Sequence, residues 1–182
     1  MNEVDFDKLS DEQLFDLFKK NNDNKAFASI YSRYSKKVYA YCIRACGDKD
    51  VAKDVFQKVF TSIIEKRNSF IEGNFIAWVM VITRNYCLME KRAKKKTEEI
   101  FENTLITEPD NNFDFAEKAE VIKAVNKLPE EYSDIIKLRY FDDFTYNEIA
   151  DILDISLSLV KVRLFRAKQL LVNLLKPLME KS

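Results

Sequence analysis

Only two glycines and three prolines occur among 182 residues, and that scarcity limits the possible folds more than any other feature. A sheet of many strands needs frequent tight reversals, which draw on glycine, proline and small polar residues. The apolar residues, 47% of the chain, recur instead at spacings of three and four, the period of a helix with one buried face. The expectation is an all-α chain. No run of about 18 apolar residues is present to span a bilayer, and the opening MNEVDFDKLSDEQ is acidic where a signal peptide is basic and then apolar. Membrane insertion is therefore not expected, and a cytoplasmic location is.

Start and stop signals divide the chain into helices. Ser10 and Gln13 have capping-box spacing ahead of a short helix from Asp11 to Lys20. Asn24 is the expected cap of the next helix, in which Phe27, Ile30, Tyr31, Tyr34, Val38, Tyr41, Cys42 and Ala45 share a face up to Gly47. Asp48 caps a third helix with the stripe Val51, Val55, Phe56, Val59, Phe60 and Ile63. A break, NSFIEGN from Asn68 to Asn74, precedes a fourth helix from about Phe75 to Lys96, whose Trp78, Val79, Val81 and Ile82 read as core. Periodicity then fades around Pro109 and returns with Phe115, Ala119, Ile122 and Val125. Pro129 opens another helix in its first turn, followed by Glu130 and Glu131. Asp142 and Asp143 suit a turn. Thr145 with Glu148 forms a second capping box, a turn at Asp154 and Ile155 leads to Ser156, and a long basic helix follows. Helix, tight turn, basic helix is a helix-turn-helix.

Lysine plus arginine and aspartate plus glutamate both number 30, so what matters is where each sign falls. Residues 97–114 contain acids and no base, while Lys25 to Lys96 is strongly cationic and Lys161, Arg163, Arg166 and Lys168 cluster near the end. The sequence therefore reads as two small helical domains, 1–96 and 115–182, joined by an acidic linker, 97–114. Two basic surfaces suggest a polyanion touched at two places.

The chain contains no histidine, so the commonest general base and metal ligand is missing. Gly47 and Gly73 stand alone, which leaves no glycine-rich phosphate loop. Cys42, Cys46 and Cys87 are odd in number and lack CxxC spacing, as expected of buried packing thiols rather than a disulfide framework or zinc site. Neither catalysis nor a cofactor is expected.

With these elements placed, the chain resembles the extracytoplasmic-function (ECF) class of bacterial sigma factors. In the first domain the resemblance rests on AFASIYSRYSKKVYAYC, DVAKDVFQKVFTSI and FIAWVMVITRN with its basic tail. In the second it rests on LPEEYSDIIKLRYFDDFTYNEIADIL and VKVRLFRAKQLL. Generic helix-turn-helix regulators share only the second set. The resemblance implies a non-enzymatic subunit that binds the RNA polymerase core, captures the melted minus-ten element with its first domain and reads the minus-thirty-five duplex with its second. It makes core polymerase and promoter DNA the expected partners, with an anti-sigma protein as a further candidate. About 17 base pairs at about 3.4 Å each separate the two elements by about 60 Å, a span that roughly 18 extended linker residues just reach. The linker's acids fit mimicry of nucleic acid in a polymerase channel and fit a solvated strap equally well.

The resemblance places the polymerase contact at Asp54 and Gln57, which share a helix face; a solvated polar face has the same pattern. Lys53 stands where many relatives carry an acid. For the minus-ten element the candidates are Arg84, Asn85, Lys91 and Arg92 as a cationic track, with Phe70 and Asn74 in the preceding loop as base contacts, against ordinary loop packing. For the minus-thirty-five element they are Lys161 and Arg166 in the groove and Lys168 on phosphate, with Arg163 solvated. Ser158, Leu159 and Val162 depart from the family pattern of glycine, threonine and a small polar residue, and Asp154 occupies a turn position where glycine is common. Two rivals remain: a stand-alone regulator, which would bind duplex tightly without polymerase, and a DNA-processing enzyme, which would need a clustered carboxylate metal site.

Overall fold

The computed structural model describes residues 5–100 and 116–179, with side chains over 5–94 and 121–176. Among these there is no strand, and eight α-helices run as α1 Asp11–Asn21, α2 Asn24–Cys46, α3 Lys49–Glu65, α4 Phe75–Ile100, α5 Ala116–Lys127, α6 Glu130–Tyr140, α7 Tyr146–Leu153 and α8 Leu157–Met179. Short 3-10 turns occur at Phe6–Lys8 and Arg67–Ser69. The chain divides into two compact units, Met1–Pro109 and Asp110–Ser182. No helix among the described residues is long and apolar enough to cross a membrane.

The local signals act where the chain needs them. Ser10 and Gln13 exchange hydrogen bonds in a capping box, as do Thr145 and Glu148, satisfying amides that an α-helix leaves free at its start. Gly47 ends α2 in the left-handed conformation at φ 71°. Three departures from the sequence reading are instructive. Asp23, not Asn24, caps α2: its carboxylate accepts from the amides of Lys25 and Ala26, which puts Asn24 inside the first turn. Pro129 precedes α6 as its cap residue rather than lying within the first turn. Helix α4 runs on to Ile100, so the first four residues of the stretch read as linker are helical. The rest of that stretch, and Phe115 and Ala119 with it, lies outside the described side chains.

In the first unit α2 packs on α1, α3 and α4. Its core is built from Leu14 and Phe15 of α1, Ile30 and Val38 of α2, Val55, Val59 and Ile63 of α3, and Phe75, Val79 and Met80 of α4. Arg33 on α2 fastens the segment before α1, donating to the carbonyls of Phe6, Asp7 and Leu9 and to the Asp11 carboxylate. The Tyr34 hydroxyl donates to the same carboxylate; burial and that carboxylate push the phenol well above its ordinary range. Cys42 and Cys87 are buried, but Cys46 is only half-buried, so it is not the fully enclosed thiol expected. The three thiols meet between α2 and α4: hydrogen bonding to Cys42, together with burial, pushes the Cys87 thiol up to about 12. Cys46 is raised further, first by its contact with Cys87 and then by burial.

In the second unit α8 packs on α5, α6 and α7, closing a core of Val125, Leu128, Ile135, Leu138, Phe144, Ile149, Val160 and Leu164. Asp143 takes φ 55° in the turn between α6 and α7, and Asp154 takes φ 53° between α7 and α8. Both are left-handed positions that aspartate tolerates better than most residues do.

Candidate polymerase and nucleic-acid interface

On α3 every third or fourth residue from Asp54 faces outward. Asp54, Gln57, Lys58, Thr61 and Glu65, with Tyr86 of α4, line an open cleft of about 340 Å³. Asp54 and Gln57 are exposed, while Val55 and Val59 on the opposite side of the helix are fully buried. The same helix that fills the core therefore presents a polar edge. Lys58 carries no distinguishing signal in the sequence. Its ammonium reaches Glu90 of α4 at 2.8 Å, tying the two walls of the cleft together, and the bonded carboxylate raises the amine above its ordinary range.

The loop before α4 differs from expectation. Phe70 does not face solvent: its ring packs against Phe15, Phe75 and Trp78 at 5.4–5.7 Å between centroids, and the residue is 7% exposed. A ring on an irregular segment beside a helical core gains more by burial than by exposure, and in this structure Phe70 takes the packing role that was the alternative to a base contact. Its carbonyl accepts from the Lys19 ammonium of α1 at 2.8 Å, a partly buried bond that the sequence does not signal. The outward residues of the loop are Ile71, 83% exposed, Glu72, Gly73 and Asn74. Asn74 spends its oxygen capping α4, accepting from the Ala77 amide at 3.0 Å, and its NH₂ group takes no part in that cap. Along α4, Arg84 and Lys91, and likewise Asn85 and Arg92, are two turns apart and so share one side. Asn85, Lys91 and Arg92 are exposed and Arg84 is half-buried.

The helix-turn-helix is complete. The Asp154 amide bonds back to Ala150 and Asp151, Ser156 accepts from the Leu159 amide at 3.2 Å, and α8 begins. The four cations clustered in its first half have separate fates. Arg163 pairs with Glu131 of α6 at 2.9 Å, so it braces the unit rather than being merely solvated. Lys168 lies 5.3 Å over the Tyr140 ring, and its contact with that hydroxyl raises the amine. Lys161 and Arg166 are exposed and have no ion-pair partner among the described residues.

The sigma-70 region 2 family matches residues 30–97, and the sigma-70 region 4 family matches residues 118–171. Over 175 residues the chain is 29% identical to the ECF RNA polymerase sigma factor SigW of Bacillus subtilis, covering 87% of this chain and 94% of that one. It is also 29% identical to the ECF RNA polymerase sigma-E factor of Escherichia coli K12, covering 96% and 99%. The chain belongs to the ECF sigma factors. Among solved structures, this sigma factor is similar to RpoE of Bartonella quintana, crystallised with the anti-sigma factor NepR, at a TM-score of 0.68 and 25% identity over 84% of this chain and 98% of that one. CnrH, solved with the cytosolic domain of CnrY, shares the fold at a TM-score of 0.70 and 20% identity, covering 92% and 99%. The α3 cleft and the basic side of α4 lie within the region 2 match, and the outward face of α8 lies within the region 4 match. Helix α1 precedes the region 2 match yet supplies Leu14 and Phe15 to its core.

Proposed function

We infer that this sigma factor binds core RNA polymerase through the Asp54 and Gln57 edge of α3 and directs it to promoters read in two places. The first domain, 1–96 within the first unit, takes the minus-ten element as single strand. Arg84, Asn85, Lys91 and Arg92 follow its backbone, and the loop from Ile71 to Asn74 meets an extruded base, whose pairing edge is exposed only once it leaves the stack. The second domain, 115–182 within the second unit, takes the minus-thirty-five element as duplex through Lys161 and Arg166, with Lys168 reaching phosphate from its place over Tyr140. Residues 97–114 connect them. The protein acts by binding rather than by chemistry, needs no cofactor, and works in the cytoplasm with the polymerase. An anti-sigma protein, of the kind bound to Bartonella quintana RpoE, is the partner that would hold it inactive.

The observation that carries this reading is the order and separation of the two regional matches, one in each compact unit. The test is transcription by core polymerase supplied with this chain, using paired substitutions. Asp54→Ala with Gln57→Ala should weaken core binding. Lys161→Ala with Arg166→Ala should leave core binding intact and weaken promoter binding by about 1 to 3 kcal/mol for each base no longer engaged. An equal drop in core affinity from both pairs would overturn the assignment. A nanomolar complex of the free chain with promoter duplex at physiological salt would instead establish a stand-alone regulator.

A further inference from the structure

The outward face of α8 is apolar where a DNA-reading helix is usually polar. Leu159, Val162 and Phe165 are 37%, 43% and 63% exposed. At about 100° per residue, Val162 lies at the middle of this face, with Leu159 about 60° to one side and Phe165 about 60° to the other. Arg166 lies about 40° from Val162, on the Leu159 side, and Lys161 lies about 100° away, beyond Phe165. From Leu157 to Met179 the helix contains no acidic residue. The nearby hydroxyls are already engaged: Ser156 and Ser158 bond to each other at 2.9 Å, and Ser156 also caps the helix. An exposed apolar stripe accompanied by cations and by no acid suits a surface that is anionic and carries methyl groups. The major groove of DNA is such a surface, because thymine alone among the bases projects a methyl group into it. Leu159 and Val162 occupy the third and sixth positions of α8, the part of a recognition helix that reaches base edges.

We propose that Leu159 and Val162 select thymine within the minus-thirty-five element by contact with its C5 methyl group, in place of a hydroxyl-to-base hydrogen bond. The proposal rests on the reading that α8 engages that duplex. It makes the two residues specificity determinants that act beside Lys161 and Arg166.

The test uses the holoenzyme formed by the full chain and core polymerase. A promoter library randomised over the minus-thirty-five element is first selected by binding, and each selected thymidine is then replaced by deoxyuridine, which lacks only the methyl group. The expected result is a thymine preference at one or two positions and about a fourfold loss of affinity for each methyl removed there. Val162→Ser should abolish that sensitivity at one position and Leu159→Ser at another, with helix content unchanged by circular dichroism. The inference is overturned if no thymine is selected. It is equally overturned if deoxyuridine leaves affinity unchanged while Lys161→Ala and Arg166→Ala still weaken the complex; α8 would then read the element by its cations, and the stripe would belong to a protein partner. If neither cation substitution nor scrambling the whole element altered promoter binding, the underlying reading would fall as well.

Discussion

Removing the Phe70 ring should cost the first unit about 3 to 5 kcal/mol, the usual penalty for emptying an aromatic core site, because Phe15, Phe75 and Trp78 would all lose a neighbour. Urea unfolding of Phe70→Ala checks this, and Ile71→Ala next to it should stay within about 0.5 kcal/mol of wild type. Asn74 calls for a finer substitution. Asn74→Asp keeps the capping oxygen and removes the NH₂ donors, so it should preserve stability and change minus-ten preference in a selection from randomised promoters. The cysteines make a prediction about pH. Cys87 holds its proton more tightly folded than unfolded, with an ordinary value of 9.0 raised to about 12, so its contribution is present below pH 9 and fades as pH climbs toward 12. The difference in urea midpoint between wild type and Cys87→Ala should narrow across that window. Much of this is hidden in the sequence. An irregular loop has no period from which burial can be read, so Phe70 could face either way until Phe15 arrives from a distant helix. Arg163 and Lys168 likewise look alike until α6 supplies Glu131 to one and Tyr140 to the other.

Helix boundaries are decided by single hydrogen bonds, and these are largely legible. Both capping boxes stand in the sequence as a hydroxyl residue three before a glutamine or glutamate, because the geometry needs only local atoms. Between Asp23 and Asn24 the same logic does not choose, since either side chain can accept amides and only the backbone path decides. Asp23→Ala should therefore destabilise the first unit by about 1 kcal/mol, whereas Asn24→Ala, in the first turn, should cost little; thermal melts of the two variants distinguish them. At the turn into α8 the left-handed Asp154 is better placed than most residues but worse than glycine. Asp154→Gly should be neutral or mildly stabilising in urea, and Asp154→Val, with a branched side chain at positive φ, should lower the midpoint clearly. The face of α3 is legible for a different reason: burying Val55 and Val59 forces Asp54 and Gln57 outward whatever the helix meets.

Across the whole chain, net charge vanishes while its distribution does not, and this shapes how the protein meets DNA. Alone, it should bind promoter duplex weakly and with steep salt dependence, because each basic surface is small and the acids of 97–114 oppose approach; fluorescence anisotropy with and without core polymerase measures the difference. The division into two units is visible as fading periodicity and a run of acids. The extra turn of α4 is not, because acids and lysines at 95–100 suit a solvated helix as well as a linker. The aromatic cluster around Phe70 has one more consequence. Trp78 is the single tryptophan, it sits in that cluster in the first unit, and the second unit carries only the tyrosines Tyr132, Tyr140 and Tyr146. Emission excited at the red edge of indole absorption thus follows the first unit alone, while far-ultraviolet dichroism follows both, so two optical signals from one unlabelled sample can tell which half of the molecule melts first.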